Sequence, residues 1–241
     1  MLDLQAVINH INHAPSLTGD LALFADLNQD GFVNDADATF LGNAILGLTT
    51  LPELPLTTIQ ETSPAAGEGG VTVTRETVFH FNYPLSSNAL LSPTHLFAEF
   101  GGRKLLSRVE LSTDRKTVTL FYLENLPGGA RVRVTFNPIV LQDFIGRMVD
   151  LDGDGQPGGT KAVDFDTVSI TPLAGTAIVG NVFASDPVPG TNATNFINRP
   201  LPGVTVTVDG MEETLRVITD SNGFFRLSPC PVGEFFVHID G

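Results

Sequence analysis

Oxygen-bearing side chains recur at a fixed spacing in one stretch near the start of the chain. They stand at positions 1, 3, 5, 9 and 12 of residues 26–37 (the 26–37 loop), and position 6 is glycine. Calcium is a hard cation that takes six to eight oxygen ligands, and a twelve-residue loop with a sharp turn at position 6 supplies them at this spacing. The predicted ligands are Asp26, Asn28, Asp30, the backbone carbonyl of Phe32, Asn34 and Asp37. The alternative is a solvated turn of Asn and Asp residues before a helix.

A second carboxylate-rich stretch, residues 150–159 (the 150–159 loop), repeats only the first half of this spacing. Position 12, counted from Asp150, is Lys161, which cannot bind a cation, so a closing ligand has to come from elsewhere. The predicted ligands are Asp150, Asp152, Asp154, Gln156 and, as the closing residue, Asp164. Clustered carboxylates repel one another when no cation lies between them. We therefore expect either a second calcium site here or a solvated turn.

The charge and composition of the chain narrow the classes of function. Its 27 acidic and 13 basic residues give a formal net charge of −14, and such an acidic surface repels nucleic acid and attracts divalent cations. Hydrophobic residues make up 42% of the 241 residues, which predicts one to three packed domains. No apolar run reaches the roughly 18 residues of a membrane span. No Gly-x-Ser-x-Gly, P-loop or zinc-protease motif is present. We expect no nucleic-acid partner, no membrane span and no active site.

Two helices and a series of short strands are predicted to hold these loops. Apolar residues recur at helical spacing around Val7 and Leu41, which predicts helices over residues 4–13 and 38–47. From Val71 onward the apolar period is two, as in strands that bury one face. The predicted strands cover residues 71–74, 78–81, 118–121, 132–136, 168–170, 177–183, 204–208, 215–219, 224–227 and 235–239. The predicted connections are linkers over residues 51–70 and 171–175 and a polar loop over residues 184–198.

The order of these elements predicts a multi-domain, mainly β protein. A small α-helical, EF-hand-like module over residues 1–52 is followed by two β-sandwich domains, over residues 53–172 and 173–241. Short strands at this spacing favour sandwiches over barrels.

The first loop and the helix after it resemble the dockerin type I repeat, in which Asp rather than Glu closes an EF-hand-like loop. The resemblance rests on Asp26-Leu-Asn-Gln-Asp-Gly-Phe-Val-Asn-Asp-Ala-Asp37 and the apolar helix that follows. Dockerins carry two such repeats, and aligning residues 37–46 with residues 3–12 places Asp3 at position 12 of a first loop. The other ligands of that loop would lie before Met1, so we expect the chain to begin inside a domain.

This resemblance implies calcium as the cofactor and a cohesin-type domain as the partner. In dockerins the partner contacts fall around loop positions 10 and 11 and on the following helix, which here means Asp35, Ala36 and the region of Gly42 and Asn43. Many dockerin carriers are secreted enzymes that degrade polysaccharides. Similar repeats also occur in large surface proteins, where we expect them to clamp a neighbouring domain of the same protein.

The remainder of the chain resembles two accessory β domains of bacterial surface and secreted proteins. Residues 55–172 are similar to a bacterial Ig-like domain, which implies a spacer or adhesion module. Residues 174–241 resemble the carboxypeptidase regulatory-like (transthyretin-type) domain. The first resemblance rests on residues 78–85, 109–120, 129–136 and 143–146, and the second on residues 180–183, 201–208, 219–227 and 231–237. The second fold is classed as carbohydrate-binding-like by shape, so carbohydrate is a candidate partner, although shape alone does not establish binding.

Together these patterns favour a non-catalytic, calcium-binding modular protein outside or on the surface of a bacterial cell, with a structural, adhesion or protein-interaction role. The alternative is the accessory region of a secreted polysaccharide-degrading glycoside hydrolase whose catalytic domain lies outside this chain. The two hypotheses differ in what the neighbouring coding sequence encodes.

Overall fold

The first part of the chain, the helical unit, forms three short helices around a small apolar core. The computed structural model describes residues 4–13, 17–51, 53–187 and 196–240. The helices are α1 (Leu4–Ile11), α2 (Asp20–Ala25) and α3 (Asp35–Ile45). Each contributes one buried side chain to the core, namely Val7, Ala25 and Leu41. α1 and α3 correspond to the predicted helices, whereas α2 has only six residues, too few to show a helical period. No helix in the described part of the chain is long and apolar enough to cross a membrane.

The helix α3 begins at Asp35 rather than at residue 38 because the loop before it caps its first turn. The Asn34 side chain accepts a hydrogen bond from the Ala36 amide (2.8 Å), and the Asp37 carboxylate accepts one from the Asn34 amide (2.9 Å). These two bonds satisfy amides that the first turn of a helix leaves unpaired. Residues predicted as calcium ligands therefore also start the helix.

The first β unit is a sandwich of two antiparallel four-stranded sheets. Its strands are β1 (Ile59–Ser63), β2 (Thr77–Phe81), β3 (Leu96–Phe100), β4 (Arg103–Lys104), β5 (Ser107–Leu111), β6 (Thr117–Tyr122), β7 (Arg131–Phe136) and β8 (Lys161–Asp166). One sheet has the order β1-β2-β6-β5 and the other β4-β3-β7-β8. The core lies between them, where Phe79 of β2 contacts Phe136 of β7 with ring centroids 5.5 Å apart. Alternation along each strand places the apolar side chains on this inner face.

The predicted strand over residues 71–74 is wrong. Val71 makes only an isolated bridge with Thr167, and the Val73 amide donates a hydrogen bond to Asp209 (2.9 Å) rather than to a strand. Both valines are fully buried. The alternation of valine and threonine therefore reflects burial of the two valines and not pairing in a sheet.

In two further segments of the sandwich, the strands that form differ from the predicted ones. β1 lies within the predicted linker 51–70, because an edge strand with the sequence IQETS carries mostly polar residues and looks like a loop. Residues 168–170 form no strand; the chain is paired just before them, in β8, where six residues align with β7.

The second β unit packs a three-stranded sheet against a two-stranded one. Its strands are β9 (Ile178–Asn181), β10 (Phe183–Pro187), β11 (Phe196–Pro200), β12 (Thr205–Val208), β13 (Arg216–Ile218), β14 (Phe224–Leu227) and β15 (Val237–Asp240). The three-stranded sheet has the order β13-β12-β15, and β14 pairs with β9. Val206 and Val208 of the first sheet meet Phe225 and Leu227 of the second in one apolar cluster.

The prediction of a polar loop over residues 184–198 is wrong in its described part. β10 and β11 form an antiparallel hairpin in which Ser185 lies opposite Asn198. Residues 188–195 lie outside the described residues. Because this hairpin is exposed on both faces, its sequence shows no alternation of apolar and polar residues, which is the signal of a half-buried strand.

Specific contacts join the three units. The Arg115 guanidinium of the first β unit donates to both carboxylate oxygens of Asp20 in α2 (2.7 and 2.6 Å), and the Phe24 and Phe144 rings lie 5.1 Å apart. At the other end, the Asp209 carboxylate accepts a hydrogen bond from the Val73 amide (2.9 Å). The mainly β architecture after a small helical module is thus as predicted.

Candidate calcium-binding loops

The 26–37 loop connects α2 to α3. Asp26 directly follows α2, and Asp37 lies in the first turn of α3. The loop is therefore tied by both ends to helices, so a ligand bound between its two ends holds α2 and α3 together.

Backbone amides fix the first half of this loop. The Asp26 carboxylate accepts hydrogen bonds from the Asp30 amide (3.1 Å) and the Gly31 amide (2.9 Å), and the Asp30 carboxylate accepts one from the Phe32 amide (2.9 Å). Gly31 has φ of +91°, which a residue with a side chain rarely adopts. A carboxylate oxygen that accepts one amide keeps a further lone pair for a cation. The Phe32 side chain has no oxygen, so this position can contribute only its backbone carbonyl.

Asp37 closes the loop from a fully buried position. One of its oxygens accepts hydrogen bonds from the amides of Leu27 (2.7 Å) and Asn28 (3.2 Å), and the other accepts the Asn34 amide (2.9 Å). A buried carboxylate is tolerated only when hydrogen bonds or an opposite charge stabilise it. The donor set of this loop consists entirely of oxygens, which suits a hard cation such as calcium.

The structure does not gather all the predicted carboxylates of the first loop at one point. Among the described residues, Asp26, Asp30 and Asp37 are not a group whose ligand atoms all lie within 4.8 Å of one another. The oxygens of Asp37 are directed at backbone amides, and the Asn28 side chain donates to Asp30 (2.9 Å). The assignment of these residues as ligands stays a prediction. Asp3, the predicted end of a preceding loop, lies outside the described residues.

The 150–159 loop has the same backbone arrangement over its first half. The Asp150 carboxylate accepts hydrogen bonds from the amides of Asp154 (3.2 Å) and Gly155 (2.9 Å), and the Asp154 carboxylate accepts one from the Gln156 amide (2.8 Å). Gly155 has φ of +83°. Positions 1, 5, 6 and 7 therefore make the same three contacts as in the 26–37 loop.

This second loop does gather its carboxylates. Asp150, Asp152 and Asp154 have ligand oxygens within 4.8 Å of one another. The ends of the loop are closed by backbone pairing, since the Leu151 amide donates to Gly158 (2.8 Å) and the Gly158 amide donates to Val149 (2.7 Å). Three carboxylates held this close suit a divalent cation, although an exposed acidic turn is the alternative. Whether the loop binds calcium stays a prediction.

Asp164 does not reach this group. Both of its carboxylate oxygens accept hydrogen bonds from Arg133, its cross-strand partner, at 2.8 Å. The Arg133 guanidinium lowers the pKa of Asp164 below its ordinary value, which stabilises the ionised pair. This pairing counts against Asp164 as the closing ligand, and that assignment stays a prediction. The spacing of Asp164 along the chain placed it near the loop, but the register of β7 and β8 directs it to Arg133.

One further group of potential ligands was not visible in the sequence. Asp209, Glu212 and His238 have ligand atoms within 4.8 Å of one another. His238 is 29 residues from Asp209 along the chain, and only the pairing of β12 with β15 brings them together. No local spacing could have revealed this group.

Comparisons with solved structures give only distant likenesses. The chain aligns with CopC from Methylosinus trichosporium OB3b at 14% identity and a TM-score of 0.35, over 48% of this chain and 98% of that one. It aligns with the N-terminal part of the bacterial S-layer protein SbsC at 14% identity and a TM-score of 0.37, over 98% of this chain and 56% of that one. The chain therefore spans about 56% of the SbsC fragment. These TM-scores are too low to identify a shared fold. No curated protein matches the chain.

A family comparison is specific for the N-terminal part. Residues 1–46 match the model of the dockerin type I domain. Dockerin type I domains bind calcium, and dockerin domains bind cohesin domains. Proteins that contain them are typically extracellular or at the cell surface. The segment that carries the 26–37 loop is thus similar to the dockerin type I domain, a calcium-binding module of protein interaction.

Proposed function

We propose that this chain is a non-catalytic, calcium-dependent interaction and spacer region of an extracellular or cell-surface protein. The 26–37 loop binds calcium through the six predicted ligands from Asp26 to Asp37, and the two β units set the distance and orientation of the helical unit. The observation that carries the proposal is the position of Asp37, buried at the start of α3 with its carboxylate bonded to the amides of Leu27 and Asn28 at the start of the loop.

Calcium acts here as a structural ion. It neutralises carboxylates that repel one another and joins the end of α2 to the start of α3. Because α1 and α3 pack directly against each other around Val7 and Leu41, fixing α3 also fixes α1. A core of three buried apolar residues is small, so the ion supplies a large part of the stability of the helical unit.

Two surfaces of the helical unit suit two kinds of partner. α2 contacts the first β unit through Asp20 and Phe24, which supports a role for a neighbouring domain of the same protein. The predicted partner contacts at Asp35, Ala36 and Asn43 are exposed on α3. That exposure supports a cohesin-type domain as an external partner.

The two β units are proposed to be a bacterial Ig-like domain over residues 53–172 and a carboxypeptidase regulatory-like domain over residues 173–241. Two facing antiparallel sheets support the first assignment, and the facing sheets β13-β12-β15 and β14-β9 support the second. A second calcium ion in the 150–159 loop would stiffen the sandwich, since Asp150 and Leu151 are buried at its edge. Carbohydrate as a partner of the second β unit stays a prediction.

A thermal-melting experiment tests the calcium proposal. Calcium at a hundredfold excess over its dissociation constant should stabilise the helical unit by about 2.7 kcal/mol. Asp30→Ala should abolish most of this response, because it removes the ligand at position 5. The control is Asp35→Ala, which removes an exposed carboxylate from position 10 of the same loop. Equal melting of the wild-type chain in calcium and in chelator would contradict the proposal.

A second candidate is the accessory region of a secreted glycoside hydrolase. The match to the dockerin type I domain favours it, because dockerins commonly occur in cellulosome-type proteins. Sequencing the coding region on both sides of this segment separates the two candidates. A neighbouring catalytic domain with paired acidic residues supports the hydrolase, whereas further β domains support the structural role. Binding of the chain to immobilised cohesin domains, with Asp35 and Ala36 replaced in a control, tests the partner separately.

A further inference from the structure

Three metal-binding side chains meet where the second β unit contacts the first. Asp209 directly follows β12, Glu212 lies in the turn after it, and His238 lies on β15. Their ligand atoms are all within 4.8 Å of one another. Neither the calcium loops nor the dockerin match includes any of these residues.

The Asp209 carboxylate is held rigidly in a buried position. Its side chain has no exposed surface. One oxygen accepts a hydrogen bond from the Val73 amide (2.9 Å), and the other accepts one from the Thr74 hydroxyl (2.5 Å) and lies 3.2 Å from Nε2 of His238. Asp209 and His238 both belong to the second β unit, and the two donors that hold the Asp209 carboxylate, Val73 and Thr74, belong to the first.

Glu212 is oriented by the turn that carries it. One of its carboxylate oxygens accepts a hydrogen bond from the Gly210 amide (2.9 Å). The backbone at Gly210 approaches the first β unit so closely that a Cβ there would lie 2.2 Å from Val73. This close approach places the turn, and with it Glu212, at the contact between the two units.

An unsatisfied hydroxyl lies on the same face of the sheet. Thr207 is opposite His238 in the β12–β15 register and two positions before Asp209, so the three side chains share a face. The Thr207 hydroxyl is buried and has no hydrogen-bond partner among the described residues. Leaving such a group unpaired in a buried position is unfavourable. A further polar species at this face, such as water held by a metal ion, would satisfy it.

The donor set indicates which metal this group suits. One imidazole nitrogen with two carboxylates is a borderline set that suits Zn²⁺ better than Ca²⁺. Ligands about 2.0–2.1 Å from a tetrahedral zinc ion lie about 3.3 Å apart. Nε2 of His238 and Oδ1 of Asp209 are hydrogen-bonded to each other at 3.2 Å, which is close to this edge, so an ion between them would replace that hydrogen bond with little movement of either side chain. Arg216, a positive residue opposite Thr207 on β13, is exposed.

We propose that Asp209, Glu212 and His238 bind a divalent transition metal ion, Zn²⁺ by their donor set, at the contact between the two β units. The ion has three protein ligands and a fourth position open to water. All three ligands belong to the second β unit, so the ion holds Asp209 in the position from which it accepts the hydrogen bonds of Val73 and Thr74 in the first unit.

The test uses the full chain in saturating calcium, so that the carboxylate loops do not compete for the added metal. Titration with Zn²⁺ by calorimetry should show one tight equivalent, and Co²⁺ in its place should give the visible absorption of a tetrahedral site. His238→Ala should weaken zinc binding by about tenfold or more and abolish the Co²⁺ absorption. Glu212→Gln should weaken binding without loss of fold, because Glu212 is partly exposed.

His80→Ala is the matched control. His80 is an exposed strand histidine of the first β unit whose ring is hydrogen-bonded to Thr117 (3.1 Å), so its variant should bind zinc as the wild-type chain does. The proposal is overturned if wild-type protein takes up no tight equivalent of Zn²⁺, or if His238→Ala binds as tightly as the wild-type chain. Loss of binding in His80→Ala equal to that in His238→Ala would also overturn it.

Discussion

The 26–37 loop and the 150–159 loop share three backbone hydrogen bonds in their first seven positions and differ in how they close. In both, the position 1 carboxylate accepts the amides of positions 5 and 6, and the position 5 carboxylate accepts the amide of position 7. The first loop is closed by the buried Asp37 at the start of a helix. The second is closed by backbone pairing around Gly158.

The comparison shows which part of the loop structure the Asp-x-Asx-x-Asp-Gly motif determines and which part depends on the residues that follow it. The Asp-x-Asx-x-Asp-Gly spacing is sufficient to fix the backbone of a half-loop, whether a helix or a strand follows. The closing residue decides which element the loop holds in place. In the first loop a carboxylate performs this role, so cation binding and helix position are linked. In the second loop, backbone hydrogen bonds around Gly158 bring the two ends together, and no acidic side chain takes part in them.

The largest effect is expected from Asp37→Ala. This substitution removes a buried carboxylate and leaves the partly buried amides of Leu27, Asn28 and Asn34 without their acceptor, and should destabilise the helical unit by about 3 kcal/mol even in chelator. Chemical denaturation followed by the helical signal measures it. Asp154→Ala in the second loop is the comparison, and we expect its fold in chelator to be almost unchanged because Asp154 is exposed. Equal losses in the two variants would remove the distinction between the loops.

A smaller effect should distinguish two neighbouring glycines in the second loop. A Cβ at Gly159 would lie 2.3 Å from a carboxylate oxygen of Asp152, whereas a Cβ at Gly158 would have no atom within 4 Å. Both have positive φ, so either alanine costs about 1–2 kcal/mol in backbone strain.

Only Gly159→Ala should also displace Asp152 from the carboxylate group. If the second loop binds calcium, calorimetry should show weaker binding in Gly159→Ala than in Gly158→Ala, with the first loop inactivated by Asp30→Ala in both. Identical calcium affinities in the two glycine variants would show that Asp152 is not a ligand.

The smallest effect is expected from Asp164→Asn. The pair of Asp164 with Arg133 is partly exposed, so its loss should cost less than about 1 kcal/mol at neutral pH. Because Arg133 lowers the pKa of Asp164 below 3.8 in the folded chain, this contribution is fully present above that value and is lost as the pH falls through the folded-state pKa.

Urea denaturation at neutral and at acidic pH measures this contribution, and the wild-type chain and Asp164→Asn should converge in acid. The number of bound calcium ions should be the same in both. A lower calcium stoichiometry in Asp164→Asn would support this residue as the closing ligand.

Local patterns in the sequence predicted the two acidic loops and eight of the fifteen strands in the described part of the chain, namely β2, β6, β7, β9, β12, β13, β14 and β15. The ligand spacing of residues 26–37, the helices α1 and α3 and the mainly β remainder all depend on neighbours within a few positions. α2 and the hairpin of β10 and β11 did not show a period, the first because it is short and the second because it is exposed on both faces.

Long-range contacts account for the remaining differences. The Val73 amide donates a hydrogen bond to Asp209, 136 residues away, and not to a neighbouring strand. Residues 71–74 therefore form no strand, although their sequence alternates as a strand does. The group of Asp209, Glu212 and His238 and the pairing of Asp164 with Arg133 likewise depend on which strands pair and in what register, which local patterns in the sequence do not reveal. The sequence is therefore informative about each loop by itself and uninformative about the contacts between units.

The attachment of Asp209 to Val73 and Thr74 has a mechanical consequence. The segment that connects the two β units is itself paired with the second unit, since the Leu173 amide donates to Cys230 (2.9 Å) and the Val232 amide donates to Thr171 (3.2 Å). With its connecting segment paired and a buried carboxylate bonded across the contact, the joint should resist bending and torsion. When the chain is under tension, we expect the two β units to move together as one rigid body rather than as two domains joined by a flexible linker.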